Sequence, residues 1–291
     1  MLHSAKEHIE EIPVSVVIPT YNAGIKFKNV AEMILKQRAN IKKVFVIDST
    51  STDQTVNIAD KYGFEVELIP KKNFGHGKTR QYALEKIDTE IVVFMTQDAL
   101  LFDEFSIKRL VNCLISDNNI AAAVFGRQIP YKNVNLYEKI FREYNYPNIS
   151  FINNFDDINK SEIKAVFFSN TFSAYKRTLL LKIGGFPTNV NFGEDMYVAA
   201  KFLINGYKTA YCAEAKVYHS HNYSLLDEYE RGKKIGEFQK NNTWILEKFG
   251  KPERRGLNLL TYIIKKNNLL ITNAVVRCSV KYLGYIIGKF L

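Results

Sequence analysis

The stretch FGHGKTRQYAL at residues 74–84 places a histidine, a lysine and an arginine among two glycines, just ahead of a helical apolar pattern. It matches neither of the two common phosphate-binding patterns, G-x-x-x-x-G-K-[ST] and G-x-G-x-x-G. Arg80 falls in the first turn of the predicted helix, where free backbone N–H groups and the helix dipole favour an anion. His76 and Lys78 lie just before it. These residue types indicate a site for phosphate oxygens, and turn formation is the alternative role for the glycines and His76.

Two adjacent carboxylates, Glu194 and Asp195, open a predicted helix in NFGEDMYVAAKFLINGY, which ends at Gly206. The helix dipole alone favours acidic residues at this position. A carboxylate held there beside a bound substrate is also well placed to accept a proton from a hydroxyl group. The pair is therefore a candidate general base.

His219 and His221 stand two positions apart after a predicted strand, in AKVYHSHNY. In an extended backbone, residues at this spacing lie on one face, so both imidazoles could reach one metal ion. Two surface histidines are the alternative. Asp98 follows another predicted strand and offers the carboxylate oxygens that divalent cations bind.

Apolar, β-branched runs at residues 14–19, 44–48, 64–69, 91–95 and 121–125 alternate with helical patterns. One helix, with Ser51 and Gln54 as its capping box, is predicted to end at Gly63. A later helix is predicted over about residues 104–115. The alternation predicts an α/β fold, with a mostly parallel, Rossmann-like sheet flanked by helices on both faces.

Ligands of open α/β sheets bind beyond the carboxyl ends of the strands. The residues at those ends are Thr20, Tyr21 and Asn22 after the first strand, Asp48 after the second and Asp98 after the fourth. We expect them to converge with the loop at residues 75–80 on a nucleotide.

In that nucleotide site Tyr21 would stack on or flank the base, and Arg80 would bind phosphate oxygens as a two-pronged donor. Asp98 would hold a divalent ion that bridges a diphosphate. Asp48 fits a binding residue and a turn former equally well, whereas Asp53 is predicted to be only a helix cap or a turn former.

After residue 130 the alternation stops, and YKNVNLYEKIFREYNYPNISFINNF shows no clean period. This segment is predicted to form a lid or a surface that faces a second substrate. The following stretch, VFFSNTFSAYKRTLLLKIGGF, predicts a strand and then a helix that stops at Gly184 and Gly185.

The chain has 291 residues, 46% of them hydrophobic, which is enough for one large domain with or without an appendage. Its three cysteines, Cys113, Cys212 and Cys278, lack C-x-x-C spacing, so a reducing compartment fits best. MLHSAKEHIEEIP at the N-terminus has no apolar core, so no signal peptide is predicted.

The net charge of +10 suggests an anionic partner, but zinc-finger spacing, RNP-type motifs and long basic runs are missing, so nucleic acid is not predicted.

Basic and apolar residues alternate in the C-terminal segment, residues 251–291, without an uncharged run of the roughly 20 residues that span a bilayer. An apolar stripe and a basic arc are predicted on one helix; the stripe is Val276, Val280, Leu283, Ile287 and Leu291, and the arc is Lys266, Arg277, Lys281 and Lys289. The helix would pack on the rest of the chain, contact an anionic membrane, or do both with different faces.

In order and spacing, the motifs resemble those of glycosyltransferase family 2, whose members are inverting enzymes of the GT-A fold. They are VSVVIPTYN at 14–22, IDSTSTD at 47–53, TQDA at 96–99, GED at 193–195 and HSH at 219–221. More narrowly, FGHGKTR, SNTFSAYKR at 169–177, HSHNY and the terminal KYLGYIIGK resemble bacterial rhamnosyltransferases of that family. The likeness covers nearly the whole chain.

The resemblance implies a role for each matched position. Asp195 would be the catalytic base, with Glu194 as the second candidate. Asp98 would bind Mg²⁺ or Mn²⁺ with help from His219 and His221. The donor-binding residues would be Pro19, Thr20, Tyr21, Asp48, His76, Lys78, Arg80 and Gln97.

Two positions depart from the family pattern. Ser49 stands where the second aspartate of D-D-x-S-x-D usually reads the base, and Thr96, Gln97 and Asp98 replace D-x-D with a single carboxylate. The first departure leaves the base of the donor open, and the second suggests a looser metal site or weak metal dependence. Both are features that we associate with the rhamnosyltransferase branch.

The resemblance implies transfer of L-rhamnose from dTDP-L-rhamnose, with inversion, onto a saccharide acceptor linked to polyprenyl diphosphate, in bacterial surface polysaccharide synthesis. Another donor sugar, or a nucleotide-sugar-binding protein with weak catalysis, is the alternative. A GT-A catalytic domain is expected over residues 1–225, with its nucleotide-binding half at about 13–128 and its acceptor and base half at about 129–225. A basic amphipathic helical region would follow at 226–291. The location implied is the cytoplasm, with peripheral contact to the inner face of an anionic membrane.

Overall fold

The computed structural model describes residues 12–115, 121–158 and 162–290; Leu291 of the predicted apolar stripe and residues 1–11 of the N-terminal segment lie outside the described residues. The strands, β1 to β9 in chain order, are Val14–Thr20, Ile41–Asp48, Glu65–Leu68, Ile91–Met95, Leu100–Leu101, Ala121–Ile129, Phe151–Asn153, Phe172–Lys176 and Lys208–Tyr218. The helices, α1 to α11, are Lys26–Leu35, Thr55–Lys61, His76–Lys86, Ser106–Ile115, Leu136–Asn145, Arg177–Lys182, Glu194–Ile204, Leu225–Asn241, Thr243–Phe249, Glu253–Lys266 and Ile271–Phe290.

The strands form one sheet in the order β3-β2-β1-β4-β8-β6-β9-β5, with β7 paired to β9. Pairing is parallel from β3 through β2 and β1 to β4, as the alternating pattern predicts. Strand β8 then lies antiparallel between β4 and β6, while β6 and β9 are parallel to each other. The carboxyl ends of β1, β2 and β4 therefore meet at one edge, where the predicted binding residues lie.

Successive side chains of the central strands alternate between two buried clusters. Val16 and Val93 pack on one face of the sheet, and Val17 and Phe94 pack on the other. Because both faces are covered, these strands carry apolar residues at nearly every position. The continuous apolar runs in the sequence have this origin.

The loop after β2 differs from the predicted capping box. Gln54 precedes α2 without a side-chain cap, and the Ser51 hydroxyl donates to the Asp48 carboxylate at 2.6 Å. Asp53 forms the turn that leads into α2: its Oδ1 accepts from the Thr55 backbone N–H at 2.9 Å. This contact agrees with the turn-forming role predicted for Asp53.

Residues 131–155, which show no period in the sequence, contain α5 and β7. Asn135 caps α5 by accepting from the Glu138 backbone N–H at 2.9 Å. The buried side of this helix includes Glu138 and Arg142 as an ion pair, Nε to Oε1 at 2.6 Å. These buried charges interrupt the apolar spacing that predicts a helix.

Helices α8 and α11 cross at two glycines of each helix, and the two glycines are four residues apart in both. A Cβ added to Gly232 would lie 2.1 Å from the Lys281 carbonyl oxygen, and one added to Gly288 would lie 2.0 Å from that of Lys233. Gly236 and Gly284 are equally close to the opposite backbone. The two helices therefore touch through their main chains, and a larger residue at any of the four would force them apart.

Among the described residues, one helical stretch, Asn268–Phe290, is long and apolar enough by length and composition to cross a membrane, and 17% of its apolar window is buried. The charged residues in this segment of the sequence do not predict a membrane span. One side of it is the glycine crossing with α8, and the opposite side is exposed, with Val276 at 41% and Leu283 at 55%.

Candidate active site

The loops after β1 and β2 are joined through Asp48. Its carboxylate accepts from the Thr20 hydroxyl at 2.7 Å, and from the Ser51 backbone N–H at 2.7 Å. Asp48 and Thr20 are both buried. Asp48 therefore organises the two loops in this structure, and neither side chain is open to solvent as a contact for base or ribose would require.

Tyr21 and Gln97 connect the loops after β1 and β4. The Tyr21 backbone N–H donates to Gln97 Oε1 at 2.7 Å, and Gln97 Nε2 donates to the Tyr21 carbonyl at 3.2 Å. The Tyr21 ring is 38% exposed, and the Lys71 ammonium lies 4.2 Å from its centre. Pro19 is partly buried just before it. Tyr21 is thus the predicted donor-binding residue of this loop with an exposed ring, and Lys71 contacts that ring.

Arg80 and Glu194 form a buried ion pair that the sequence analysis does not predict. Arg80 Nη1 donates to Glu194 Oε1 at 2.9 Å, and the two side chains are 3% and 7% exposed. Glu194 Oε1 also accepts from Asn170 Nδ2 at 3.1 Å. Arg80 was expected on the diphosphate and Glu194 as a candidate base; in this structure each neutralises the other.

The remaining loop residues, His76 and Lys78, are exposed at the start of α3. The His76 ring packs edge-on against Phe74, with centroids 5.1 Å apart. Desolvation and the nearby Arg80 charge lower the pKa of His76. A neutral His76 beside a charged Lys78 leaves this loop able to meet an anion.

Asp195 is the carboxylate of the G-E-D motif that no cation neutralises among the described residues. Its Oδ1 accepts from the Met196 backbone N–H at 2.8 Å, and its Oδ2 accepts from that of Asn170 at 3.4 Å. Desolvation and the adjacent Glu194 charge raise the pKa of Asp195 to about 7. A carboxyl group with this pKa can both accept and release a proton near neutral pH.

Asp98, His219 and His221 come together as the sequence predicts. Asp98 Oδ2 lies 3.4 Å from His219 Nε2 and 3.6 Å from His221 Nε2. The two Nε2 atoms are 3.1 Å apart, and one ligand atom from each residue falls within 4.8 Å of the others. Such a cluster has the size and donor types of a metal site.

The protonation states of the cluster also suit a metal. Burial lowers the pKa of His219, and burial together with the neighbouring His219 lowers that of His221 to about 4. Burial would raise the pKa of Asp98, but its hydrogen bond and charge interaction with His219 outweigh this and hold it well below its usual range. Two neutral imidazoles and an ionised carboxylate are the forms that ligate cations.

Gln128 and Arg142 contact His219 on the Nδ1 side of its ring, and neither residue was predicted from the sequence. Gln128 Oε1 lies 2.9 Å from His219 Nδ1 and also accepts from Arg142 Nη1. Because Oε1 can only accept, it selects the imidazole form with the proton on Nδ1, which leaves the Nε2 lone pair toward Asp98. A polar Gln128 at the end of the apolar strand β6 is the signal that could have identified it.

The parallel half of the sheet, with the candidate site at its strand ends, agrees with the GT-A fold that the motifs imply. The chain belongs to glycosyl transferase family 2, whose family model matches residues 15–184. The fold and the enzyme class that the motifs imply are confirmed.

Two relatives match the chain over nearly its full length. The chain is 39% identical to O-antigen chain rhamnosyltransferase RfbN of Salmonella typhimurium, over 95% of this chain and 89% of that protein. It is 37% identical to O-antigen chain rhamnosyltransferase WbaN of Salmonella anatum, over 94% and 89%. Among solved structures, the mannosyltransferase PcManGT of Pyrobaculum calidifontis, in complex with GDP-Man and Mn²⁺, matches with a TM-score of 0.66 and 18% identity, over 95% of this chain and 87% of that one.

Proposed function

We propose that this enzyme transfers L-rhamnose from dTDP-L-rhamnose to a saccharide acceptor in O-antigen synthesis, with inversion at the anomeric carbon. The observation that carries the proposal is the identity of 39% and 37% to two O-antigen rhamnosyltransferases over nearly the whole chain. The Asp98, His219 and His221 cluster and the Asp195 carboxylate supply the groups that such a reaction requires.

The reaction that these residues support is a single displacement. Asp195 accepts the proton of the acceptor hydroxyl while the hydroxyl oxygen forms its bond to the anomeric carbon. The bond from that carbon to the diphosphate oxygen breaks at the same time, and its electron pair leaves with the nucleoside diphosphate. Because attack and departure occur on opposite faces, the anomeric configuration inverts. The Tyr21 ring is the proposed surface for the base.

Incubation of the purified enzyme with a panel of nucleotide sugars and a lipid-linked saccharide pool tests this proposal. We expect product from dTDP-L-rhamnose, with the opposite anomeric configuration to the donor. Product from a different nucleotide sugar only would show that the protein is a glycosyltransferase that uses another donor sugar. Binding of nucleotide sugars without product from any of them would favour a binding protein.

We further propose that Asp98, His219 and His221 hold a divalent cation. The donor set of two nitrogens and one oxygen suits Mn²⁺ better than Mg²⁺, which prefers oxygen ligands. When bound, the cation would offset the negative charge of the leaving diphosphate. His219 and His221 complete the ligand set in which the second carboxylate of D-x-D is missing.

Replacing Gln128 by leucine is expected to weaken Mn²⁺ binding by about 10- to 100-fold, because His219 loses the acceptor that fixes its Nδ1 proton. Titration of the protein with Mn²⁺, followed by the electron paramagnetic resonance of the free ion, measures the effect. Asp98→Ala should remove binding, and Gln37→Leu, remote from the cluster, is the control. Equal affinity of Gln128→Leu and wild type would show that Gln128 does not position His219.

Two residues of the predicted basic arc, Arg277 and Lys281, face a carboxylate of α8. Arg277 Nη1 lies 3.7 Å from Glu228 Oε1, and Lys281 Nζ lies 3.2 Å from Glu228 Oε2. Glu228 belongs to α8 and is buried. The basic amphipathic face is thus wrong for these two residues, because their charges are neutralised within the helix pair.

We propose that α11 contacts a membrane with its opposite, apolar side. Val276, Leu283 and Phe290 are 41%, 55% and 75% exposed there. Burying this surface in the lipid boundary would remove it from water, at about 25 cal/mol for each Å². Contact of this kind depends on the apolar side chains more than on the charge of the lipid.

Replacing Leu283 by glutamate is expected to reduce co-sedimentation with phosphatidylglycerol-containing vesicles several-fold, because a charge then enters the apolar boundary. Leu35 is 59% exposed at the end of α1, so Leu35→Glu is a control of equal chemistry at a remote site. Unchanged sedimentation of Leu283→Glu would mean that this side of α11 does not meet lipid.

A further inference from the structure

The donor diphosphate requires more positive charge than the predicted loop supplies. A leaving nucleoside diphosphate gains negative charge in the transition state, and groups aimed at that charge usually provide the largest catalytic effect. Arg80 was expected there, but its guanidinium is engaged by Glu194 at 2.9 Å. The cluster at Asp98 offers one carboxylate where the family pattern has two. A further cation of the chain would add to the positive charge that Lys78 and a bound divalent ion supply.

Arg231 on α8 lies between two aromatic rings that belong to the loops carrying the candidate site. Its guanidinium carbon is 5.6 Å from the centre of the Phe192 ring and 5.8 Å from that of Tyr223. Phe192 stands three residues before Asp195, and Tyr223 stands two residues after His221, whose ring is 5.2 Å away. Arg231 thus packs between one ring of the loop that precedes the G-E-D motif and one ring of the segment that follows His221.

The guanidinium of Arg231 lies near the candidate metal cluster, because the Tyr223 ring contacts both Arg231 and the ring of His221. The side chain is partly buried, so its charge is only partly screened by water.

Other arginines of this region are neutralised by the protein itself. Arg80, Arg142 and Arg277 each pair with a glutamate. No carboxylate pairs with Arg231 among the side chains that the structure describes, which do not include those of residues 157 and 162. Two aromatic rings hold its orientation and leave its N–H donors for an anion.

We propose that Arg231 binds the diphosphate of the nucleotide sugar and stabilises it as the leaving group. This inference rests on the proposed function, since it assigns a ligand to the same site. Arg231 takes the part that the sequence assigns to Arg80. A guanidinium is suited to it because two parallel N–H groups can meet two phosphate oxygens.

The test compares a nucleoside diphosphate with its monophosphate. Isothermal titration calorimetry with thymidine, uridine and guanosine diphosphates first identifies the one that binds the wild type. For that nucleotide, Arg231→Met should weaken diphosphate binding by roughly 10- to 100-fold, as expected for loss of a charge-assisted hydrogen bond, with a much smaller effect on the monophosphate. Arg231→Lys should recover part of the affinity, and Lys240→Met, at the far end of α8, should bind like the wild type.

Each outcome bears on the inference. Wild-type affinity of Arg231→Met for the diphosphate would overturn it, and so would equal losses for the diphosphate and the monophosphate, which would show a packing role against the two rings. Thermal unfolding of each variant checks that it is folded, and Arg231→Lys provides the comparison if Arg231→Met is not. If the wild type binds none of the diphosphates, the proposed function fails first and the inference falls with it.

Discussion

Replacing Asp195 by asparagine is expected to lower kcat by roughly 10²-fold or more, while the affinity for nucleoside diphosphate stays unchanged. Asparagine keeps the size of the side chain and one of the two hydrogen bonds that Asp195 accepts from backbone N–H groups, but cannot accept the proton of the acceptor hydroxyl. Single-turnover rates and calorimetry separate the two effects. Asp60→Asn on the exposed side of α2 makes the same chemical change away from the site. Turnover at the wild-type rate in Asp195→Asn would exclude Asp195 as the base.

The pH profile provides a second measurement of the same assignment. Because only ionised Asp195 accepts a proton, kcat/KM should rise about tenfold for each pH unit until the pKa of about 7 and then level off. The raised pKa has the opposite effect on stability: the protonated form is favoured in the folded protein, so stability falls as pH rises through about 7. Asp195→Asn should lack this loss of stability.

Arg80→Met is expected to lower the free energy of unfolding by about 3–5 kcal/mol, because it leaves Glu194 as an unpaired charge in a buried position. Glu194→Gln, which strands the Arg80 guanidinium, should also be destabilising. The double variant should recover most of the loss, since it removes both charges together. Urea unfolding of the four proteins measures these differences. A double variant as unstable as the sum of the single changes would mean that the two residues do not act as a pair.

The same double variant tests the role that the sequence assigns to Arg80. If it folds and binds nucleoside diphosphate like the wild type, Arg80 positions the helix that carries Asp195 and does not bind the donor. A loss of affinity in the folded double variant would support direct contact between Arg80 and the diphosphate.

Local patterns were sufficient to predict the parallel half of the sheet and the residues at its edge. Apolar runs such as residues 91–95 are read directly as buried strands, and the side chains just beyond them fall where strand ends must meet. The pairing of the two histidines follows from the spacing of an extended chain, whereas their joining with Asp98 was implied by the resemblance to family 2.

Partners that are distant in the sequence were not predictable. Arg80 and Glu194 are 114 positions apart, and a basic residue at a helix start is equally compatible with a ligand anion or a protein carboxylate. Gln128 and His219 are 91 positions apart. Strand β8 was predicted, but its antiparallel place between β4 and β6 depends on pairing energies that a local pattern does not contain.

The glycine crossing between α8 and α11 fixes the position of each helix along the other as well as their contact. Main chain lies against main chain there, so neither helix can slide by one residue without placing a side chain on a carbonyl oxygen. Arg231 precedes one of these glycines, and Leu283 precedes another on the facing helix. The depth from the apolar side of α11 to the reaction centre is therefore set by rigid backbone. An enzyme that rests on lipid by that side would reach only those hydroxyls of an anchored glycan that lie at one distance from the membrane surface.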